Sequence, residues 1–252
     1  MRRSPTVAVA ALALTGFAAG CAVPERPAAQ APTTAPSPTP VRSGFARPTH
    51  APVTFPAFAA TAKVRSVQVH AAPDGAVTRS LANPQPSGAP LVFLVRRQAG
   101  GWVQVDLPVR PNGSTGWIRS ADVTVTGVPY RLDVLRSEHL LRVYRFGRLE
   151  RTYPIGVGKT TTPTPGGTYY LKELLKPPNP DGDYGPYAYG LSGFSNALTS
   201  FNGGSGVIGL HGTNEPQLVG KDVSHGCIRL RNADITVLAK ELPLGTPVRI
   251  LA

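Results

Sequence analysis

Only two cysteines stand in 252 residues, Cys21 and Cys227. That is too few for a disulfide framework, and Cys21 sits where a secretion signal would end, so Cys227 has no credible partner within the chain. Acidic residues are scarce as well: 14 Asp and Glu stand against 26 Lys and Arg, a formal charge of +12. Such an excess raises nucleic acid as a partner, yet no nucleic-acid-binding motif accompanies it, and an exported protein rarely meets nucleic acid. The apolar run from Val7 to Ala19 is too short to span a bilayer as a helix. A zinc site built on His211, His225 and Cys227 lacks the further Cys or His that would close a tetrahedron, so neither metal nor cofactor is expected.

What is present falls into four stretches. Met1-Arg2-Arg3 and the apolar run after it form the charged and hydrophobic regions of a signal peptide, residues 1–21. Its end, Ala18-Ala19-Gly20-Cys21, resembles a lipoprotein signal with Cys21 as the lipidated new N-terminus, although Ala18 stands where a larger aliphatic is usual. This places the protein at the outer face of the cytoplasmic membrane through a lipid anchor. Residues 22–59, rich in Pro, Ala and Thr, cannot bury a core and read as an extended tether. At about 3 Å per residue it would hold the folded part on the order of 100 Å from its anchor. Losing Arg2 and Arg3 with the signal leaves 24 basic and 14 acidic residues, net +10, a field suited to anionic, carboxylate-bearing partners.

Residues 60–126 carry short β-like runs at Val64 to Val69, Leu91 to Val95, Trp102 to Val105 and Gly116 to Ile118. Pro73-Asp74-Gly75, Pro86-Ser87-Gly88, Gly100-Gly101 and Asn112-Gly113 separate them as turns. A small all-β barrel is expected, and the Gly101-Trp102 and Gly116-Trp117 pairs resemble a bacterial SH3-like domain. Trp102 and Trp117 are expected to pack as core, wall binding being the alternative.

Residues 127–252 hold the chemistry. Ser224-His225-Gly226-Cys227-Ile228-Arg229-Leu230 follows His211-Gly212-Thr213, and a lone thiol dressed with histidine and glycine outside the cytosol is better explained as a nucleophile than as a buried structural cysteine. Acyl transfer through a thiolate needs a base, a group that orients the base, and donors for an oxyanion. Either His211 or His225 can serve as base, Gly212 can turn a carbonyl toward an imidazole N–H, and Gly226 leaves the backbone near Cys227 unshielded.

These two motifs resemble those of the L,D-transpeptidase (YkuD-like) catalytic domain family, which rebuilds peptidoglycan cross-links in bacteria. The resemblance implies a mostly β, sandwich-like fold with one or two helices, and it selects His211 as base for Cys227, with Gly212, Ser224, His225, Gly226 and Arg229 in support. It also implies that Cys227 attacks the diaminopimelate carbonyl of a tetrapeptide stem, releases D-alanine, and passes the thioester to a second stem as a 3-3 cross-link. Carbapenems should acylate Cys227, and ordinary penicillins should inhibit poorly. The alternatives are an L,D-carboxypeptidase or hydrolase that uses water as acceptor, and a non-catalytic wall-binding lipoprotein. Loss of His211 is expected to raise the Cys227 thiol toward its free value of about 8.5.

Around these motifs the residues predict strands at Arg131 to Arg136, Leu140 to Arg145, Leu149 to Val157 and Thr168 to Leu175, with His139 in a turn. Lys176 to Gly206 reads as one long loop whose aromatics Tyr184, Tyr187, Tyr189, Phe194 and Phe201 wall a substrate cleft. Ile208-Gly209-Leu210 delivers His211 from a buried strand. A purely structural helix follows, capped by Asn232 and buried through Ile235, Leu238, Ala239 and Leu242, before Val248-Arg249-Ile250 closes the sheet. His50 and His70 are expected on linker or surface.

Overall fold

The computed structural model describes residues 56–200 and 204–252. The signal peptide, Cys21, most of the tether, His50 and Phe201 lie outside the described residues.

Seven strands come first: β1 (Ala57–Ala62), β2 (Ser66–His70), β3 (Val77–Ala82), β4 (Val92–Ala99), β5 (Trp102–Asp106), β6 (Thr115–Arg119) and β7 (Val123–Val128). They pair antiparallel in the order β3-β2-β6-β5-β4-β1-β7. Val67, Val69, Phe93, Val103, Val105 and Ile118 form its buried core. The four expected runs lie in β2, β4, β5 and β6, whereas β1, β3 and β7 were not anticipated. Alanine-rich β1 has weak strand propensity, and nearly every side chain of β3 is exposed, so neither shows apolar alternation. β1 starts inside the stretch expected to be tether because β4 and β7 supply its hydrogen bonds on both edges.

His70 corrects a second expectation. It is buried, its Nδ1 lies 2.7 Å from the Gly75 carbonyl, and its ring stands edge-on to Trp102 at 4.7 Å. A bulge between Val69 and His70 breaks the alternation that would have turned one of them outward. Trp102 and Trp117 are both packed, under the guanidinium groups of Arg119 and Arg97 respectively.

The remaining elements are β8 (Tyr130–Leu135), β9 (Leu140–Arg145), β10 (Arg148–Pro154), β11 (Val157–Gly158), β12 (Gly167–Leu175), β13 (Ala188–Phe194), β14 (Val207–His211), β15 (Asp222–Ser224), β16 (Ile228–Arg229), α1 (Asn232–Glu241) and β17 (Pro247–Leu251). Eight of these strands form one sheet, ordered β10-β9-β8-β17-β12-β13-β14-β16, while β11 and β15 make a separate parallel pair. β17 does not close an edge: it bridges β8, in parallel, to β12, antiparallel. The chain is thus mostly β with one α-helix among the described residues.

The expected loop from Lys176 to Gly206 contains β13, and every residue of that strand is buried. Its sequence, Ala-Tyr-Gly-Leu-Ser-Gly-Phe, hides the strand because neighbours occupy the space that side chains would fill. A Cβ on Gly193 would enter the Tyr169 ring, and one on Gly190 would lie 2.5 Å from Glu173 Oε1. With both faces covered there is no polar alternation to read.

Helix α1 buries Ile235, Leu238 and the following Leu242 as expected. Its N-cap is Arg231, which makes no side-chain cap bond, and Asn232 is the first helical residue. The Asn232 amide oxygen instead accepts the Thr213 N–H at 2.8 Å, so the helix start holds the His211–Thr213 segment in place. At the other end the Tyr189 hydroxyl reaches the Leu238 and Leu242 carbonyls, at 3.1 and 3.0 Å. The Leu238 carbonyl also accepts the Leu242 N–H at 2.9 Å, so the hydroxyl adds to the last turn of the helix and satisfies the carbonyl beyond it.

Turns of the first sheet grip the second. The Asn112 amide donates to the Phe194 carbonyl at 2.8 Å and accepts the Phe194 N–H at 2.9 Å, imitating a neighbouring strand at the end of β13. Arg110 donates to the carbonyls of Ser195, Leu198 and Ser205 at 3.0, 3.2 and 3.2 Å. Gln85 donates to the Lys172 carbonyl at 3.1 Å, and Ser87 hydrogen-bonds the Glu173 carboxylate.

Candidate active site

β14 and β16 run parallel and side by side, with Leu210 opposite Ile228 and His211 opposite Arg229. This pairing brings two motifs distant in sequence to one end of the sheet. Asp183, Tyr184, His211, Ser224, His225, Cys227 and Arg229 line a common recess there.

Cys227 is half-buried just before β16, and its Sγ accepts the Gly209 N–H at 3.3 Å. A Cβ on Gly209 would sit 3.1 Å from His211 Cδ2 and 3.4 Å from Cys227 Sγ. Imidazole and thiol therefore converge above a residue that has no side chain to separate them. Gly209 was read only as part of a buried strand; a glycine two residues before a candidate base, on the same face of the strand, was the available signal.

His211 is 3% exposed, and its Nδ1 lies 2.6 Å from the Gly212 carbonyl. A carbonyl only accepts, so Nδ1 carries the proton and Nε2 is left free to take one. Tyr184 stacks at a tilt on the imidazole, with ring centroids 4.8 Å apart. Its loop can approach this closely because Gly185, at φ +63°, crosses Gly212 and Asn232 with no room for a Cβ.

Ser224 is buried, donating its hydroxyl to the Cys227 carbonyl at 2.6 Å and accepting the Gly226 N–H at 3.0 Å. That last bond changes the expectation for Gly226, whose own N–H is committed to Ser224 and not offered to a substrate oxygen. What Gly226 supplies is its backbone conformation: φ is +116°, a region that L side chains rarely adopt. The bend it makes also means that His225 and Cys227 do not lie on an extended segment. His225 is exposed, although it lines the same recess. Arg229 donates to Glu215 at 2.9 Å, while its buried Nε finds no partner among the described residues. His139 lies elsewhere, in the β8–β9 turn, with Nε2 2.9 Å from Asp222 Oδ1. Among the described residues no three His, Cys, Asp or Glu side chains converge as metal ligands.

Burial sets the protonation states. It pushes His211 down to about 4, against the raising effect of the Gly212 carbonyl, with Arg229 lowering it further. Burial likewise pushes the Cys227 thiol up, only partly offset by the Gly209 N–H and Arg229. Both shifts favour the neutral forms, thiol and imidazole, where the sequence reading expects His211 to hold the thiol below its free value. A stability consequence follows from the histidine. Between pH 6.5 and about 4 the unfolded chain binds the extra proton, so the contribution of His211 is complete above 6.5 and is lost as pH falls through 4. It amounts to roughly 3 kcal/mol. Melting temperatures of wild type should drop more steeply than those of His211→Asn over that window; parallel curves would count against a buried neutral imidazole.

A family model for the L,D-transpeptidase catalytic domain matches residues 129–250. A proposed L,D-transpeptidase of Bacillus licheniformis, YkuD, is 42% identical over 123 residues, covering 49% of this chain and 66% of the relative. Its namesake in Bacillus subtilis is 34% identical over 150 residues, covering 57% of this chain and 83% of the relative. Among solved structures, an L,D-transpeptidase from Mycobacterium tuberculosis is similar at 16% identity and a TM-score of 0.43, over 57% of this chain and 75% of that one.

Proposed function

The chain belongs to the L,D-transpeptidase family, and from that premise we propose that residues 127–252 make 3-3 cross-links between peptidoglycan stems, with Cys227 as nucleophile and His211 as base. The observation that carries the reading is the pinned His211 tautomer facing a thiol across Gly209. As Cys227 Sγ attacks the diaminopimelate carbonyl of a tetrapeptide stem, its proton passes to His211 Nε2 and the S–C bond forms. The C–N bond to the terminal D-alanine then breaks, and the same proton leaves on the departing amine. In the second half, the side-chain amine of another stem attacks the thioester. His211 takes the amine's proton and returns it to the sulfur as the C–S bond breaks.

Starting from two neutral partners suits this sequence, because charge separation is delayed until the electrophile is in place. Incubating the full chain with tetrapeptide stems and weighing the products tests the reading. A cross-linked dimer with one D-alanine released is expected. A tripeptide with no dimer would mean that water is the acceptor and the protein is a carboxypeptidase, and unchanged stems would sink both. A carbapenem offers a strained amide carbonyl to the same sulfur and is expected to acylate it.

Residues 60–126 are assigned as an SH3-like module, supported by the antiparallel strands and tight turns of the first sheet. Cys21 is assigned as the lipidated residue. Cys21→Ser should move the protein from the membrane fraction to the soluble one, and a wild type that never takes up labelled fatty acid would refute the anchor.

A further inference from the structure

The thiol opens into a second, larger cleft of about 1580 Å³, counting the solvent at its mouth, which runs across the sheet from Cys227 to Glu173 and Ser87. Its floor is ordered by register. Glu173 on β12 is opposite Gly190 on β13, which is opposite Gly209 on β14. Register partners share a face, so these three residues and the thiol line one trough. Two consecutive floor positions are glycine, and each would be blocked by a side chain: a Cβ at 190 would strike Glu173, and one at 209 would crowd Cys227 and His211.

At the far end Glu173 is 8% exposed. A bulge at Lys172 brings two adjacent β12 residues together, and Lys172 Nζ lies 2.8 Å from Glu173 Oε1. The Ser87 hydroxyl, from a turn of the first sheet, binds Oε2. A carboxylate offers about four acceptor positions, so two partners leave it able to take more.

Resting on the reading of the substrate above, we propose that Glu173 binds the side-chain ammonium of the donor's diamino acid while its carbonyl is on Cys227. The lengths agree. Register partners lie about 5 Å apart, which puts Glu173 Oε1 no more than roughly 11 Å from Cys227 Sγ. An extended diaminopimelate side chain spans roughly 7 Å from carbonyl carbon to terminal nitrogen. An S–C bond at one end and a charge-assisted hydrogen bond of about 2.8 Å at the other complete the distance. Glycine at 190 lets the Glu173 side chain lie over β13 on the side of the thiol, and glycine at 209 leaves the remaining stretch of floor before Cys227 without a side chain. Because Ser87 orients the carboxylate, the first sheet takes part in reading the donor.

The test compares thioester formation on the full chain by two tetrapeptide stems that differ only in whether the side-chain amine is free or acetylated. Wild type should favour the free amine roughly ten- to hundredfold, the scale of a hydrogen bond to a charged group. In Glu173→Gln the ratio of the two rates should fall toward one, and Ser87→Ala, which keeps the charge, should lower it partway. A ratio is insensitive to a general loss of activity. A wild-type ratio near one overturns the subsite without recourse to any variant, as does a Glu173→Gln ratio equal to wild type. Failure of both stems to acylate the wild type, while a carbapenem still does, overturns the stem reading and the subsite with it.

Discussion

Cys227→Ala is expected to leave no covalent adduct on the protein, with either a tetrapeptide stem or a carbapenem, when the intact chain is weighed. The effect is total because nothing nearby can replace the sulfur. Ser224 is the obvious neighbour, but its hydroxyl is a buried staple, donating to the Cys227 carbonyl and accepting the Gly226 N–H. It has neither a free proton to lose nor freedom to turn toward a substrate. Cys227 is also the only cysteine among the described residues. An adduct that survives the substitution would place the nucleophile elsewhere and undo the mechanism.

His211→Ala should lower the rate of acylation by a stem by about 10²- to 10⁴-fold, the usual range for a positioned general base. His225→Ala should cost much less, because His225 is exposed beyond the Gly226 bend. The pH dependence separates a general base from a preformed ion pair. With His211 held down to about 4, the imidazole stays neutral and able to accept a proton over most of the acidic range, so kcat/KM should lose activity only as pH approaches 4. Alkylation by iodoacetamide should rise only on the alkaline side, where the raised Cys227 thiol ionises. An alkylation limb near neutral pH would show a thiolate at rest. If His225→Ala abolished acylation while His211→Ala retained it, the two histidines would exchange roles.

The motif residues were legible because their message is chemical and local: a thiol, imidazoles and glycines in short runs need no knowledge of the fold. Strands β9 and β10 were legible through the alternation of Leu141, Val143, Tyr153, Ile155 and Val157, although the one strand expected from Leu149 to Val157 breaks at Ile155 and Gly156, leaving Val157 to β11. β13 was not, because a strand covered on both faces loses that alternation, and its glycines answer to Tyr169 and Glu173 on a neighbouring strand. The same limit hid Gly209, whose importance lies in what would collide with its Cβ. Asn232 read as a cap because asparagine usually is one there, but its amide was taken by Thr213, nineteen positions away in sequence. His70 was misplaced because one bulge reverses the facing of a strand. Resemblance alone separated His211 from His225; the fold adds the carbonyl that fixes the tautomer of one and the bend that turns the other outward.

The raised thiol pKa bears on survival as well as on turnover. Peroxides and disulfides attack thiolate far faster than thiol, and in the exported setting proposed above no reducing pool would regenerate the sulfur. Burial that raises the Cys227 thiol favours the form that oxidants attack slowly, so hydrogen peroxide should inactivate the protein more slowly at neutral than at alkaline pH.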